Sequence, residues 1–186
     1  SVLVGMRDAT FSGVQDGFAV LVNHDYDVNY PHTVLIQNNQ ISDYQKAGIV
    51  VNELAAEAQI LGNTITGHGP TPVTAQNGIQ VGYGAIATIA ANDVSGNAYT
   101  GASWSAAGVL LVGVDGTIIA DNNIHENQQG ITVGYDADYG YGGSTDTLVT
   151  ANTIVNNDFG VAVDDVSDTG LVMHHNRIFG NTTGVD

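Results

Sequence analysis

Residues 118–133 read IIADNNIHENQQGITV, and this stretch contains the two motifs that decide the fold. In the first motif, an aliphatic residue stands three positions before an asparagine and another stands two positions after it, as around Asn122. In the second motif, a glycine precedes alternating aliphatic residues, as it does from Gly130 onward. Alternation with a period of two in such short segments predicts β-strands.

Both motifs recur along the whole chain, which indicates a repeat architecture. The asparagine motif occurs six times at spacings of 24, 29, 30, 30 and 24 residues, at Asn39, Asn63, Asn92, Asn122, Asn152 and Asn176. A degenerate seventh copy has Ala9 in place of the asparagine. The glycine motif alternates with the first, at Gly17, Gly48, Gly78, Gly108, Gly130, Gly160 and Gly184.

Three short strands in each repeat predict a coil of parallel strands. Strand one follows the glycine, strand two precedes the asparagine, and strand three follows it. The pattern resembles the right-handed parallel β-helix of the pectate lyase type over the whole chain. We therefore expect an all-β solenoid of about seven coils, forming a single domain over residues 1–186. The resemblance implies that the six asparagines form an internal ladder at the turn between strands two and three.

The chain ends are also interpreted from this pattern. We expect the chain to begin in a second strand at Val2–Val4 and to end in a first strand at Gly184, with no polar cap at either end. Solenoids need caps, so the sequence is expected to be a fragment of a longer protein or a unit that self-associates through its coil ends.

Charge restricts the possible partners. The chain has 186 residues with 19 acidic and 3 basic side chains, a net charge of -16 and no cysteine. An acidic protein does not suit nucleic acid or anionic membranes. No apolar run approaches the roughly 20 residues that span a bilayer, so membrane insertion is not expected. Nothing in the sequence indicates an organic cofactor.

The acidic residues and tyrosines concentrate in the first turn, which joins strand one to strand two. Eleven of the 19 acids and six of the eight tyrosines fall there. Calcium binds six to eight oxygen atoms, and carboxylates supply such oxygens, so these acids are candidate calcium ligands. The predicted metal ligands are Asp25, Asp27, Asp136, Asp138, Asp164 and Asp165. The aromatic residues predicted to contact a ligand are Tyr83, Tyr135, Tyr139, Tyr141 and Trp104.

Enzymatic activity is the first alternative. Lyases of this fold are expected to use arginine or lysine as the base. The third turn, which joins strand three to the next strand one, contains Lys46, interpreted here as a surface charge. General acid–base groups could instead come from one loop of the first turn. The catalytic candidates there are His24, Asp25, Tyr26 and His32. Outward-facing residues on strand one, assigned as Ala19, Val50 and Leu110 with Leu21 and Val112 beside them, are mostly apolar.

The preferred function is an extracellular or surface module that binds polysaccharide through the acidic, tyrosine-rich edge, with Ca²⁺ as a possible aid. A polysaccharide lyase or uronate epimerase is the first alternative, and a structural stalk or filament unit is the second. Because the outward face of strand one is apolar, we expect either that the long third turns cover it or that it packs against a second chain.

Overall fold

The computed structural model describes residues 1–23, 32–134, 140, 142–163 and 169–186. Its strands form three parallel sheets of seven, seven and six strands. The strand-one sheet consists of β2 (Phe18–Asn23), β5 (Ala47–Asn52), β8 (Asn77–Gly82), β11 (Ala107–Val112), β14 (Gln129–Gly134), β17 (Phe159–Val163) and β20 (Thr183–Val185). The strand-two sheet consists of β3 (His32–Gln37), β6 (Ala56–Leu61), β9 (Ile86–Ala90), β12 (Ile118–Ala120), β15 (Leu148–Thr150) and β18 (Val172–His174).

The strand-three sheet completes each coil. It consists of β1 (Val2–Val4), β4 (Gln40–Ser42), β7 (Thr64–Thr71), β10 (Asp93–Tyr99), β13 (Asn123–His125), β16 (Thr153–Val155) and β19 (Arg177–Phe179). In every sheet, each strand pairs in parallel with the equivalent strand of the next coil, as predicted. Among the described residues, no helix has the length and apolar character to cross a membrane.

The core is a set of aliphatic columns that run along the inside of the coil. Ile119 from strand two, Ile124 from strand three and Ile131 from strand one are all 0% exposed. Each pairs with an aliphatic residue of the next coil in register. Full burial of one such side chain stabilises the fold by about 1.5–3 kcal/mol, so the repeated aliphatic positions drive coil stacking.

A ladder of hydrogen-bonded amides runs through the second turn, between strands two and three. Each amide nitrogen except the last donates to the amide oxygen of the next coil over 2.9–3.0 Å. The members are Asn39, Asn63, Asn92, Asn122, Asn152 and Asn176. The turn bends sharply because the preceding residue has a positive φ, for example 56° at Asp121. The amides therefore satisfy backbone groups that this bend leaves inside the coil.

A second amide ladder, which the sequence motifs did not predict, lies on the C-terminal side of strand three, mostly in the third turn. Asn97, Asn127, Asn157 and Asn181 are linked by amide hydrogen bonds of 3.0–3.2 Å. The buried Tyr44 donates its hydroxyl to the Asn97 amide oxygen over 2.6 Å and so ends the ladder. The signal was present in the sequence, since each of these asparagines follows a residue of the first ladder by five positions.

Two expectations for the N-terminal coil were wrong. β1 pairs with β4, so Val2–Val4 is a third strand rather than a second strand. The degenerate copy around Ala9 forms no strand and belongs to a long third turn, residues 5–17. Gly5 and Gly17 have φ angles of 82° and 87°, and this left-handed backbone at both ends turns the segment out of the coil.

The alignment of the first glycine motif was also wrong. The carbonyl of Gly17 accepts hydrogen bonds from the backbone of Gln45 and Lys46 and lies in the turn. Leu21, not Ala19, therefore pairs with Val50. Leu21 belongs to the outward column that contains Val50, and it is 53% exposed.

Candidate functional site

A groove of about 820 Å³ lies over the outward face of the strand-one sheet. Val50, Gln80 and Leu110 from three successive coils contribute to its surface. The apolar patch predicted on this face is covered at Val50 and Val112, which are 1% and 8% exposed, but not at Leu21. The long third turns flank the patch, and together with it they form the groove.

Four aromatic side chains line this groove, one of which is Phe18 at the start of β2. Tyr83 lies in the first turn of one coil, Tyr99 ends strand β10 of the same coil, and Trp104 lies in the third turn that follows β10. Trp104 is 75% exposed, an unusual state for a large apolar side chain. Of the predicted aromatic contact residues, Tyr83 and Trp104 are thus brought together. Tyr99 belongs with them and was not predicted as a contact residue.

A half-buried glutamine fixes the loop that carries Trp104. The Gln128 side-chain oxygen accepts hydrogen bonds from the backbone of Tyr99 at 3.2 Å and of Ala106 at 2.8 Å. These two residues flank residues 100–105, so one side chain from the following coil fixes both ends of the loop. The loop projects because strand three is prolonged in this coil, with β10 running on to Tyr99.

Gln76 plays a similar part in the neighbouring coil, where β7 is also prolonged. It is 0% exposed, and its side-chain nitrogen donates to the carbonyls of Tyr44 and Gln45 over 2.6 and 3.1 Å. Its side-chain oxygen accepts from the backbone of His68 over 2.8 Å. Gln76 and Gln128 therefore hold the third turns that form one wall of the groove.

Amide side chains supply the polar part of the groove. Asn77 donates to the Gln80 side-chain oxygen over 3.1 Å, and Gln80 donates to the Asn52 side-chain oxygen over 3.4 Å. The backbone nitrogen of Ala107 donates to Asn77 over 3.2 Å and fixes that side chain in the row. Amides both donate and accept, so this row suits hydroxyl groups, which do the same.

Lys46 also lines the groove, and its interpretation as a simple surface charge was wrong. Its ammonium group donates to the carbonyl oxygen of Ala75 over 2.7 Å. Burial lowers the pKa of Lys46 below its ordinary value, because desolvation disfavours the charged amine. Sequence position alone placed Lys46 near strand one but could not show which neighbouring turns would cover it.

The cover comes from two flanking third turns that meet above the short turn of Lys46. Phe11 stacks on His68 with ring centroids 4.6 Å apart and an interplanar angle of 15°. Gly13 packs so closely against Val73 that an added Cβ would lie 3.2 Å from its carbonyl oxygen. The first and third coils are thus in contact across the second, which explains why Lys46 is largely desolvated.

Most of the other predicted site residues lie outside the described residues. These are the catalytic candidates His24, Asp25 and Tyr26, the contact residues Tyr135, Tyr139 and Tyr141, and the metal ligands Asp25, Asp27, Asp136, Asp138, Asp164 and Asp165. His32 begins β3, but its side chain is outside the described part of the chain. Within residues that the structure does describe, no group of three or more histidine or acidic side chains could hold a metal ion.

Three parallel sheets wound into one coil, with inward amide ladders, define the class of the parallel β-helix. Residues 20–186 match the family described as the right handed beta helix region, and the chain belongs to that family. No curated protein sequence matches the chain.

Two solved structures are similar in fold. One is the periplasmic alginate epimerase AlgG, with 15% identity and a TM-score of 0.63, over 82% of this chain and 36% of that chain. The other is a mutant of AlgG, with 22% identity and a TM-score of 0.54, over 80% of this chain and 36% of that chain. At these identities the likeness shows the fold alone, and the chain spans about a third of the length of those enzymes.

Proposed function

We propose that this chain is a polysaccharide-binding module of the cell surface or exterior that holds a sugar chain in the groove over the strand-one sheet. The observation that carries the proposal is that Tyr83, Tyr99 and Trp104 line one groove together with a row of amides. Aromatic faces pack against the apolar faces of sugar rings, and amides bond the hydroxyls. The fold shared with a periplasmic alginate epimerase is consistent with a glycan ligand and an exported protein.

The proposal moves the main contact surface from the acidic edge to the groove. The first-turn acids keep a proposed secondary part as Ca²⁺ ligands that assist glycan binding. These acids are Asp25, Asp27, Asp136, Asp138, Asp164 and Asp165. Melting with Ca²⁺ or with EDTA tests this part separately. An unchanged melting temperature and unchanged glycan affinity would remove calcium from the proposal.

The experiment for the groove is affinity electrophoresis through a panel of soluble polysaccharides. Trp104→Ala is expected to weaken retardation by about tenfold or more in apparent affinity, because truncation of a central aromatic contact has effects of that size. Phe179→Ala is the matched control, since Phe179 is 50% exposed but lies on the strand-three sheet of the last coil. Equal loss in both variants, or no retardation of the native chain by any polysaccharide, would favour a structural stalk.

A second candidate function is cleavage or epimerisation of a uronate polymer. The observation that favours it is the position of Lys46, since a desolvated amine in a groove can accept a proton. New absorbance near the band of unsaturated products, or exchange of solvent deuterium into recovered polymer, would establish catalysis. Persistence of either signal in Lys46→Gln would exclude Lys46 as the base.

A further inference from the structure

The charge of the groove differs from that of the protein. The whole chain has a net charge of -16, but the described residues that line the groove include Lys46 and no carboxylate. The other titratable side chains among these lining residues are Tyr83 and Tyr99. Among the described lining residues, Lys46 is therefore the side chain that can carry a positive charge, and it occupies one position in the groove.

The ammonium group of Lys46 has donors to spare. An ammonium has three, and the described contact of this one is the carbonyl of Ala75. In the part of the chain that the structure describes, no carboxylate forms an ion pair with Lys46. A mostly buried cation with a neutral partner gains more from an incoming anion than an exposed lysine would, because water screens the attraction less.

The described lining residues of the next two coils include no cationic side chain. Stacked strands lie about 4.8 Å apart, a distance close to the length of one pyranose unit along an extended sugar chain. Beyond the turn of Lys46, the next coil presents Asn77 and Gln80, and the coil after it presents Leu110 and Val112. A sugar chain lying along the groove would thus meet a cation at one coil and neutral surface at the next two.

Taken with the proposed function, on which this step rests, these positions lead us to infer that the groove selects a mixed polysaccharide. An acidic sugar lies at Lys46, and neutral sugars lie over the amide and aliphatic surface of the next two coils. A polymer of uronic acid alone would place further carboxylates on neutral surface within the field of an acidic protein, and it binds less well. Lys46 is the residue that determines this specificity.

The test compares three oligosaccharides of four sugar units. They are xylotetraose, xylotriose carrying a single glucuronic acid, and tetragalacturonate. The native chain is expected to bind the singly acidic probe about tenfold or more tightly than xylotetraose, the size typical of a hydrogen bond to a charged group, and more tightly than tetragalacturonate. Lys46→Gln should bring the first two affinities to within about twofold, and Lys46→Arg should keep the preference.

An independent readout comes from the lysine itself, since Lys46 is the only lysine of the chain. Protein labelled with ¹³C-lysine gives one Cε resonance that reports the protonation of this amine. The singly acidic probe should raise the pKa of Lys46, and xylotetraose should leave it unchanged or lower it. Equal responses to both probes, strongest binding of tetragalacturonate, or an unaltered preference in Lys46→Gln would overturn the inference.

The outcomes also separate this inference from the proposed function. If all three probes alter Trp104 fluorescence with similar affinity, the groove binds sugar and the inferred specificity is wrong. If no probe alters either Trp104 or the Lys46 resonance, the inference fails, and the binding function fails with it only if no polysaccharide of the electrophoresis panel retards the native chain.

Discussion

Removal of one amide from the centre of the first ladder should destabilise the protein severely. Asn122 is 2% exposed and lies in the middle of the six-membered stack. Its amide nitrogen donates to the carbonyls of Ile89 and Ala120 and to the Asn152 side chain over 2.9–3.0 Å. Its amide oxygen accepts from both the backbone and the side chain of Asn92 at 2.9 Å.

The magnitude follows from the groups that Asn122→Ala would leave without this partner. The buried backbone nitrogen of Asn92 and the carbonyl of Ile89 each lose an amide contact, and each unsatisfied group costs about 1–3 kcal/mol. The lost side-chain volume adds to this, so we expect a decrease in the free energy of unfolding of about 3–5 kcal/mol. That is a large fraction of the roughly 5–15 kcal/mol typical of a folded domain.

The next residue provides the control. Asn123 is exposed, and its amide nitrogen makes a 3.4 Å contact to Asp93 on the outer surface. Asn123→Ala should change the free energy of unfolding by about 0.5 kcal/mol or less. The assay is urea denaturation followed by circular dichroism, with hydrogen exchange of the flanking coils to detect local opening, since repeat proteins can unfold in parts. If the two variants differed by less than about 1 kcal/mol, the reasoning about the ladder would be refuted.

Three further predictions concern the coil and the groove. Gly130→Ala should destabilise by about 1–3 kcal/mol in urea denaturation. Its Cβ would lie 2.5 Å from a backbone oxygen of the next coil, whereas Gly142→Ala has nothing within 4 Å and should be nearly silent. Burial raises the pKa of Tyr44 far above its usual value near 10. Above about pH 10 the unfolded chain therefore loses this proton while the folded chain keeps it, so stability should fall as pH rises from 9 to 11, and less steeply in Tyr44→Phe. Gln128→Ala should weaken glycan binding and increase acrylamide quenching of Trp104, because the loop loses both anchors; unchanged quenching would contradict this role.

The coil architecture could be predicted from the sequence because the repeat is written in two independent columns. An asparagine such as Asn92 is needed wherever the second turn bends, and an aliphatic such as Ile89 is needed on each inner face. The parallel sheets and the family match confirm the predicted fold. The motif failed at Gly17, because a glycine in a left-handed turn and a glycine in a strand look alike in sequence.

The groove was less accessible from sequence. Trp104 and Tyr83 were predicted as contact residues. The sequence motifs do not show that the two side chains line the same groove. The desolvation of Lys46 depends on contact between turns of the first and third coils, which are far apart in the chain. Such contacts between variable turns follow no period, so periodicity cannot reveal them.

Fluorescence of Trp104 offers the most direct test of a glycan-binding groove, because this is the only tryptophan of the chain and it lies in the groove. The protein would be titrated with the polysaccharide that retards it most in affinity electrophoresis. We predict a saturable change in emission, together with protection of Trp104 from acrylamide quenching, at concentrations that match the electrophoretic affinity. Retardation by the polysaccharide with unchanged emission and unchanged quenching would place the binding surface elsewhere and contradict the proposal.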